Sequence, residues 1–323
     1  MLSGTQVRNG KAFEYALAMA YYSYLLEKEI DVVIVNDNAF KTAKEYYYQL
    51  EFVERKRFDY CCALTIDSIV KIEPGLTAVK QSKPLQIVIN SDFAGEQGDV
   101  RDVIFRRSNW EIGFSAKNNN DAVKHSRLSS ILDFGESWFN VRCSDEYWNE
   151  ISPIFDYLGE MKKASKSWKD LGDEKITKVY LPLLHAFKNE VLRINNSNEG
   201  IPQKLIRYLI GNYSFYKIIK DDASNMVIIK AFNIEGELNR PFDGVKSHYK
   251  IPVINLPTRI VEFEMMEGSS NTLNMILNKG WEVSFRIHNA SSKVEQSLKF
   301  DIQLLGNPPI LFSHHIFVQD EIN

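Results

Sequence analysis

Two short runs of strand-like sequence stand on either side of a four-residue polar break, and no other part of the chain restricts the fold as tightly. Residues Val100–Phe105 and Trp110–Ala116 are rich in β-branched and aromatic side chains, the composition of a half-buried strand. Arg106-Arg107-Ser108-Asn109 separates them and has the length and chemistry of a hairpin turn. Pairing 100–106 with 110–117 about Ser108-Asn109 sets Asp102 opposite Ser115, one same-face step from Lys117. Side chains alternate along a strand, so Glu111, Gly113, Ser115 and Lys117 share one face. Val103, Phe105, Ile112 and Phe114 supply the apolar burial. A carboxylate and an ammonium therefore meet on an otherwise apolar hairpin.

The surroundings of this hairpin are mixed. Leu85–Asn90 reads as a third strand. A helix is predicted over 9–28, capped by Asn9, with Phe13, Ala16, Leu17, Ala20 and Tyr24 on one face. Helical patterns follow at 38–55 and 58–72, and Pro74-Gly75 halts the second. After the hairpin a helix is expected from Asn120 or Asp121 through Leu132. Helical patterns then run from 145 to 211, with a loop at Asn195–Asn198 and Gly200. Beyond Asn212 strands dominate, at 216–220, 226–232, 258–263, 281–288 and 298–304. The expected class is α/β or α+β: a mixed sheet flanked by helices, followed by a β-rich C-terminal region. Three consecutive parts are expected: a core over 1–170, a helical connection over 171–212, and a β-rich region over 213–323.

The 323 residues are 44% hydrophobic and 25% charged, the balance of a globular protein with a sizeable core. The net charge of −3 weighs against a uniformly basic nucleic-acid binder, but a local cleft is not bound by that average. The cysteines are Cys61, Cys62 and Cys143. Two are adjacent and none form a CxxC pair, which argues against a disulfide framework or a structural zinc site. The first residues show no basic start followed by an apolar run, and no segment approaches the ~18 apolar residues of a membrane span. The expected location is the cytoplasm, with no membrane partner.

Asp102 and Lys117 are the residue types that phosphodiester hydrolysis needs side by side. A hard divalent cation such as Mg²⁺ prefers carboxylate oxygens and keeps several waters. It polarises a phosphate and acidifies a bound water. A neighbouring lysine orients that water or stabilises charge growing on the phosphate. By spacing alone the pair is more often an ordinary surface ion pair, worth ~0–1 kcal/mol.

The longer strings decide between these readings. WEIGFSAKNNNDAVKHSRLS (110–129) and WEVSFRIHNASSKVEQSLKFDIQL (281–304) resemble the HaeIII-type restriction endonucleases, and NGKAFEYAL (9–17) is compatible. The hairpin resembles the PD-(D/E)xK nuclease core, with Asp102 as the strand aspartate and Lys117 as the lysine. The resemblance implies a type II restriction endonuclease that hydrolyses duplex DNA with Mg²⁺, at the palindrome GGCC. It also implies a methyltransferase of the same specificity in the same system. A structure-selective or repair nuclease, or a binding protein with a decayed core, remains an alternative on the same scaffold.

One position departs from the pattern. The acid expected two residues before the lysine is Ser115, which carries no negative charge. Glu14 on the first helix is the leading replacement and would hold the metal together with Asp102. Asp99, Glu111 and Glu136 are alternatives. The expected catalytic set is Asp102, Lys117, Glu14 and Ser115.

Arg101, Arg106 and Arg107, with Lys124, His125 and Arg127 on the expected helix, enrich this region in positive charge suited to phosphates. In the C-terminal region Trp281, Val283, Phe285 and Ile287 alternate with Glu282, Ser284, Arg286 and His288, and Asn289 follows. Leu298–Leu304 repeats the alternation, with Lys299, Asp301 and Gln303 outward. A polar strand face can be the wet side of a half-buried sheet, or it can read base edges in a groove. By the resemblance Lys124, His125, Arg127, Glu282, Ser284, Arg286, His288 and Asn289 contact DNA, with Arg286 reading guanine and Glu282 cytosine. A palindrome read symmetrically implies a homodimer; a monomer cutting one strand at a time satisfies the same sequence.

Overall fold

The computed structural model describes residues 2–78, 83–91, 98–119 and 124–319. The chain divides into two compact units, neither of them a continuous stretch. Unit 1 comprises Met1–Asp121, Asn212–Ile254 and Ile310–Asn323; unit 2 comprises Ala122–Gly211 and Asn255–Pro309. The consecutive division at 170 and 212 expected from texture therefore differs from the observed one. Unit 2 is assembled from two excursions out of the sheet of unit 1.

Unit 1 holds a mixed seven-stranded sheet in the order β1-β2-β3-β4-β6-β7-β12. Its strands are β1 (Val32–Ile34), β2 (Leu85–Ile89), β3 (Val103–Arg107), β4 (Trp110–Asn118), β6 (Phe215–Asp221), β7 (Met226–Phe232) and β12 (Phe312–Phe317). The β1–β2 and β4–β6 pairs are parallel, and the others are antiparallel. A parallel pair cannot be closed by a tight turn and needs a long crossover. The crossover between β4 and β6 contains the first excursion into unit 2, and the second excursion separates β7 from β12.

Helices α1 (Leu2–Glu27), α2 (Asn38–Tyr48) and α3 (Phe52–Ile72) complete unit 1. Helix α1 packs on β1–β4 and is covered by α2 and α3. That double coverage explains its sequence: seven consecutive residues, Ala12 to Ala18, are buried, whereas a surface helix would bury only one stripe. Tyr21 of α1 meets Phe105 and Phe114 of the hairpin at 5.3 and 5.5 Å between ring centroids. This aromatic contact fixes the helix against the β3–β4 pair.

Unit 2 has a five-stranded antiparallel sheet, β5-β11-β10-β9-β8, made of β5 (Lys124–Ser129), β8 (Ile260–Met265), β9 (Thr272–Leu277), β10 (Glu282–His288) and β11 (Ser297–Gly306). Four α-helices, α4 (Phe134–Phe139), α5 (Asp145–Lys163), α6 (Leu181–Ser197) and α7 (Ile201–Ile210), accompany it, with a π-helical turn at Lys175–Tyr180. The apolar face of the sheet packs on helix aromatics: Phe187 of α6 lies 4.9 Å from Phe300 and 5.4 Å from Phe285. The polar residues that alternate with these rings therefore lie on the opposite face.

One element expected as a helix is a strand. The expected helix start at Asn120–Asp121 lies outside the described residues, but Lys124–Ser129 pairs antiparallel with β11, Ser126 opposite Phe300 and Leu128 opposite Leu298. Lys124, His125 and Arg127 are therefore strand residues. The physical reason is a partner about 170 residues away: Leu128 is fully buried on the shared sheet, a burial that a local helix would not supply.

Candidate active site

The β3–β4 register is the one that the sequence reading expects. Val103 faces Phe114, so the next step outward sets Asp102 against Ser115. Two backbone bonds hold Asp102 there: its N–H donates to Phe114 O at 2.7 Å, and its carbonyl accepts the Asn90 N–H at 2.8 Å. One carboxylate oxygen, Oδ2, accepts three donors: the Ala116 amide at 2.7 Å, Ser115 Oγ at 3.2 Å and Lys117 Nζ at 3.2 Å. Among the described residues, no protein partner is recorded for Oδ1. Ser115 thus anchors Asp102; its hydroxyl is a donor here and replaces none of the missing charge.

Glu14 lies within the buried run of α1, with 5% of its surface exposed. Its Oε2 accepts Lys11 Nζ at 3.0 Å, one helical turn away. Burial pushes its pKa up to about 8, and the charge of Asp102 adds to the rise, against the lowering pull of Lys11 and then Lys117. Asp102 and Lys117 are thus close enough for their charges to act on Glu14. The sheet and α1 bring together two carboxylates and two ammonium groups. Burying like charges together is costly, and such sites are commonly functional.

The other proposed acids are engaged elsewhere. Arg101 is buried and forks onto Asp99, with Nε to Oδ1 at 2.7 Å and Nη2 to Oδ2 at 2.8 Å, while its Nη1 reaches Glu111 at 2.6 Å. Asp99 and Glu111 therefore serve one structural clamp. Glu136 belongs to unit 2, is exposed, and faces Arg142 at 3.6 Å. The arginines that the sequence reading offers to phosphates are likewise occupied. Arg107 is buried and donates to the Ala78 carbonyl at 2.7 Å, and Arg106 Nε donates to Gln86 at 3.0 Å. Lys11 went unremarked in the sequence, although the Lys11–Glu14 spacing of three is the helical spacing that lets side chains meet.

A divalent cation fits this donor set. Among the described residues no three acidic, histidine or cysteine side chains cluster in a way that could hold a metal. Two carboxylates that leave most of the coordination shell to water and phosphate are the usual Mg²⁺ arrangement.

In unit 2 Glu282, Ser284, Arg286, His288, His125 and Arg127 fall at polar-face positions of the sheet. Lys124, expected among the DNA contacts, is instead the register partner of Ile302 and takes an apolar-face position, because strand pairing rather than a helix sets its side. Arg286 and Asp301 are register partners, and Arg286 Nη2 donates to Asp301 Oδ2 at 2.6 Å. His125 is the register partner of Asp301 on the other side, so one row crosses three strands. A second row runs Arg127, Lys299, His288. Glu282 accepts the Asn274 amide at 2.8 Å, and Ser284 is buried beside Gln303. Asn289 is turned away from these rows: its Oδ1 accepts Lys175 Nζ at 3.3 Å and Tyr180 OH at 3.4 Å. The side chains of Lys124 and His125 lie outside the described residues.

Comparison with known proteins bears on both units. The model of the HaeIII restriction endonuclease family matches residues 10–308. The type II restriction enzyme HaeIII of Haemophilus aegyptius is 38% identical over 303 residues, covering 93% of this chain and 94% of that enzyme. No solved structure gives a significant match. The matched span contains Glu14, Asp102, Ser115, Lys117 and the whole five-stranded sheet of unit 2. The chain belongs to the HaeIII restriction endonuclease family.

Proposed function

We propose that this restriction endonuclease hydrolyses the phosphodiester bonds of duplex DNA at GGCC, with a Mg²⁺ ion between Asp102 and Glu14 and with Lys117 beside the scissile phosphate. The observation that carries this reading is the contact of Lys117 with Asp102 on the hairpin, on which α1 packs with its buried Glu14. Bound Mg²⁺ supplies a Lewis acid for the phosphate and a more acidic water.

The protein's own contributions follow from its geometry. Three donors saturate Asp102 Oδ2 and fix the plane of the carboxylate, leaving Oδ1 as the oxygen offered to a cation. The low dielectric around Glu14 makes its ionised form dependent on nearby positive charge. Lys117 Nζ retains donors beyond its bond to Asp102; one of them orients the attacking water or meets the charge that develops on the phosphate. Ser115 positions Asp102.

In this reading unit 1 cuts and the polar face of unit 2 reads. Arg286 has the fork geometry for guanine O6 and N7, and Glu282 accepts from the cytosine amino group. His125, Arg127, Ser284 and His288 complete the contacts from that face to bases and backbone, and Lys124 and Asn289, which do not lie on it, are left out of the set. Among the described residues no helix is long and apolar enough to cross a membrane. The proposed workplace is the cytoplasm, where a methyltransferase of matching specificity protects the host's own sites. Two copies acting on one palindrome are the proposed assembly.

The test is digestion of a plasmid of known sequence with and without Mg²⁺, followed by sequencing of the ends. Mg²⁺-dependent ends within GGCC support the reading. Ends scattered without a common sequence, or cutting that is indifferent to chelator, sink it.

A further inference from the structure

The strongest feature outside the proposed site is a groove of about 610 Å³ in unit 2, lined by Lys162, Ser165, Lys166, Lys293, Glu295 and Ser297 among others. Backbone bonds build it. Val294 N–H donates to the Lys166 carbonyl at 3.1 Å and Trp168 N–H to the Ser292 carbonyl at 3.1 Å, while Ser167 and Lys293 form an antiparallel bridge. The segment that ends α5 is thus tied to the segment that leads into β11. Below the rim Val294 is buried, so the two segments meet over a packed base.

The charge in the groove is unbalanced. Lys162, Lys166 and Lys293 are exposed, and among the described residues none of them lies within ion-pair distance of an acid, although the charge of Lys166 acts on Asp170. Lys178 and Lys188 of the same unit, by contrast, are paired with Glu174 and Glu264. The one acidic side chain in the lining, Glu295, faces Arg127 of β5 at 3.9 Å. Arg127 also donates to Ser297 Oγ at 2.8 Å. Ser297 belongs to the groove and, by its register opposite Ser129 on the alternating strands, to the polar face of the sheet. The basic groove is therefore continuous with the proposed reading face.

We propose that this groove holds backbone phosphates of the duplex on the flank of the recognition sequence. The inference rests on the proposed reading of DNA by the sheet of unit 2. A duplex laid along that face passes from the Arg286 row, across the Arg127–Ser297 contact, to the three lysines. Phosphate contacts of this kind add affinity and fix register, and they carry no sequence information.

The test compares the wild type, the triple variant K162Q/K166Q/K293Q, a charge-matched control K41Q/K44Q/K56Q on unit 1, and R286A. Binding is measured by anisotropy in Ca²⁺, against salt concentration. The duplexes are a short one ending at GGCC, a longer one flanking it on both sides, and a long one with the site scrambled. Each lost phosphate contact lowers the slope of log K against log salt by ~0.9, so the groove variant loses ~2–3 of slope. Its affinity for both long duplexes falls by on the order of tenfold to a hundredfold, and it binds the short duplex as the wild type does. An unchanged slope on the long duplex overturns the proposal, as does an equal loss in the control variant. R286A tests the reading face separately: if its preference for GGCC over the scrambled site matches the wild type, the reading face fails, whatever the groove variant does.

Discussion

Lys117 Nζ lies 3.2 Å from Asp102 Oδ2, and backbone pairing sets that distance more than the side chains do. The Val103–Phe114 register fixes which residue faces Asp102, and the Ala116 amide holds the carboxylate at 2.7 Å before the lysine reaches it. Lys117 is 31% exposed at its side chain and Asp102 20%, so the pair lies open to a substrate. An ion pair so exposed contributes little to folding, and its removal should be felt in turnover.

Lys117→Ala is therefore expected to fold with wild-type stability and to bind GGCC duplex in Ca²⁺ as tightly as the wild type. Single-turnover cleavage should fall by on the order of 10²–10³-fold, the loss typical of removing one charge-stabilising donor. Cleavage at the wild-type rate would take Lys117 out of the chemistry.

Glu14 makes stability depend on pH in a defined direction. Its pKa is about 8 in the folded protein, against 4.5 for the unperturbed group. Between those values the folded state keeps a proton that the unfolded chain releases. Metal-free protein thus has its full stabilisation below about pH 4.5 and loses it as the pH rises through about 8. Glu73, raised to about 7 by burial, acts in the same direction. Glu14→Gln should flatten the slope, leaving the share of Glu73. Mg²⁺ should stabilise the wild type most at the alkaline end, where the carboxylate is ionised. Urea midpoints measured at about pH 5 and about pH 8, with and without Mg²⁺, check this. Equal slopes in variant and wild type would place Glu14 outside the titrating set.

Gly113 makes room for the clamp next to the site. A Cβ there would stand 2.2 Å from Arg101 Cδ and 2.9 Å from Arg101 Cβ. The Arg101 stem cannot yield without loosening its bonds to Asp99 and Glu111. Gly113→Ala should therefore cost about 2–4 kcal/mol, from overpacking together with a disturbed buried ion pair. A urea midpoint within error of the wild type would show that Arg101 moves aside freely.

The hairpin was legible in sequence because its signal is local. Alternation of period two and a polar turn specify the register, and the register specifies the Asp102–Ser115–Lys117 contact. Glu14 was a candidate only through the family resemblance, which implies a first helix beside the catalytic sheet; the packing of Tyr21 on Phe105 and Phe114, which puts α1 there, is not written in local spacing. The same local logic failed at Lys124–Ser129, where the strand depends on β11, far along the chain. It also passed over β12, whose exposed sequence Phe312–Phe317 pairs only at the sheet edge. The two-unit division was hidden for a related reason. Unit 2 is built from two insertions, so no composition shift marks its borders. The engagement of Asp99, Glu111, Arg101 and Arg107 is a matter of side-chain geometry, which spacing does not encode.

The Arg286–Asp301 contact yields the last expectation. Asp301 is buried at the base of the polar face, while 55% of the Arg286 side chain is exposed. The bond from Nη2 to Asp301 Oδ2 holds the group in one orientation, and among the described residues Nε and Nη1 of the guanidinium have no hydrogen-bond partner. An arginine so held is preorganised for a bidentate contact to guanine, which discriminates by about 1–3 kcal/mol against a wrong base. Asp301→Asn keeps the shape of the partner but weakens the charge-assisted bond. It should lower the preference for GGCC over single-base variants by several-fold, while affinity for unrelated duplex changes little. Arg286→Ala should lower the preference further. Adding Asp301→Asn to Arg286→Ala should then cost less than Asp301→Asn costs alone, since part of its effect passes through the arginine. Cleavage of plasmids bearing each single-base variant reads this directly. An additive double variant would show that Asp301 does its work through something other than Arg286.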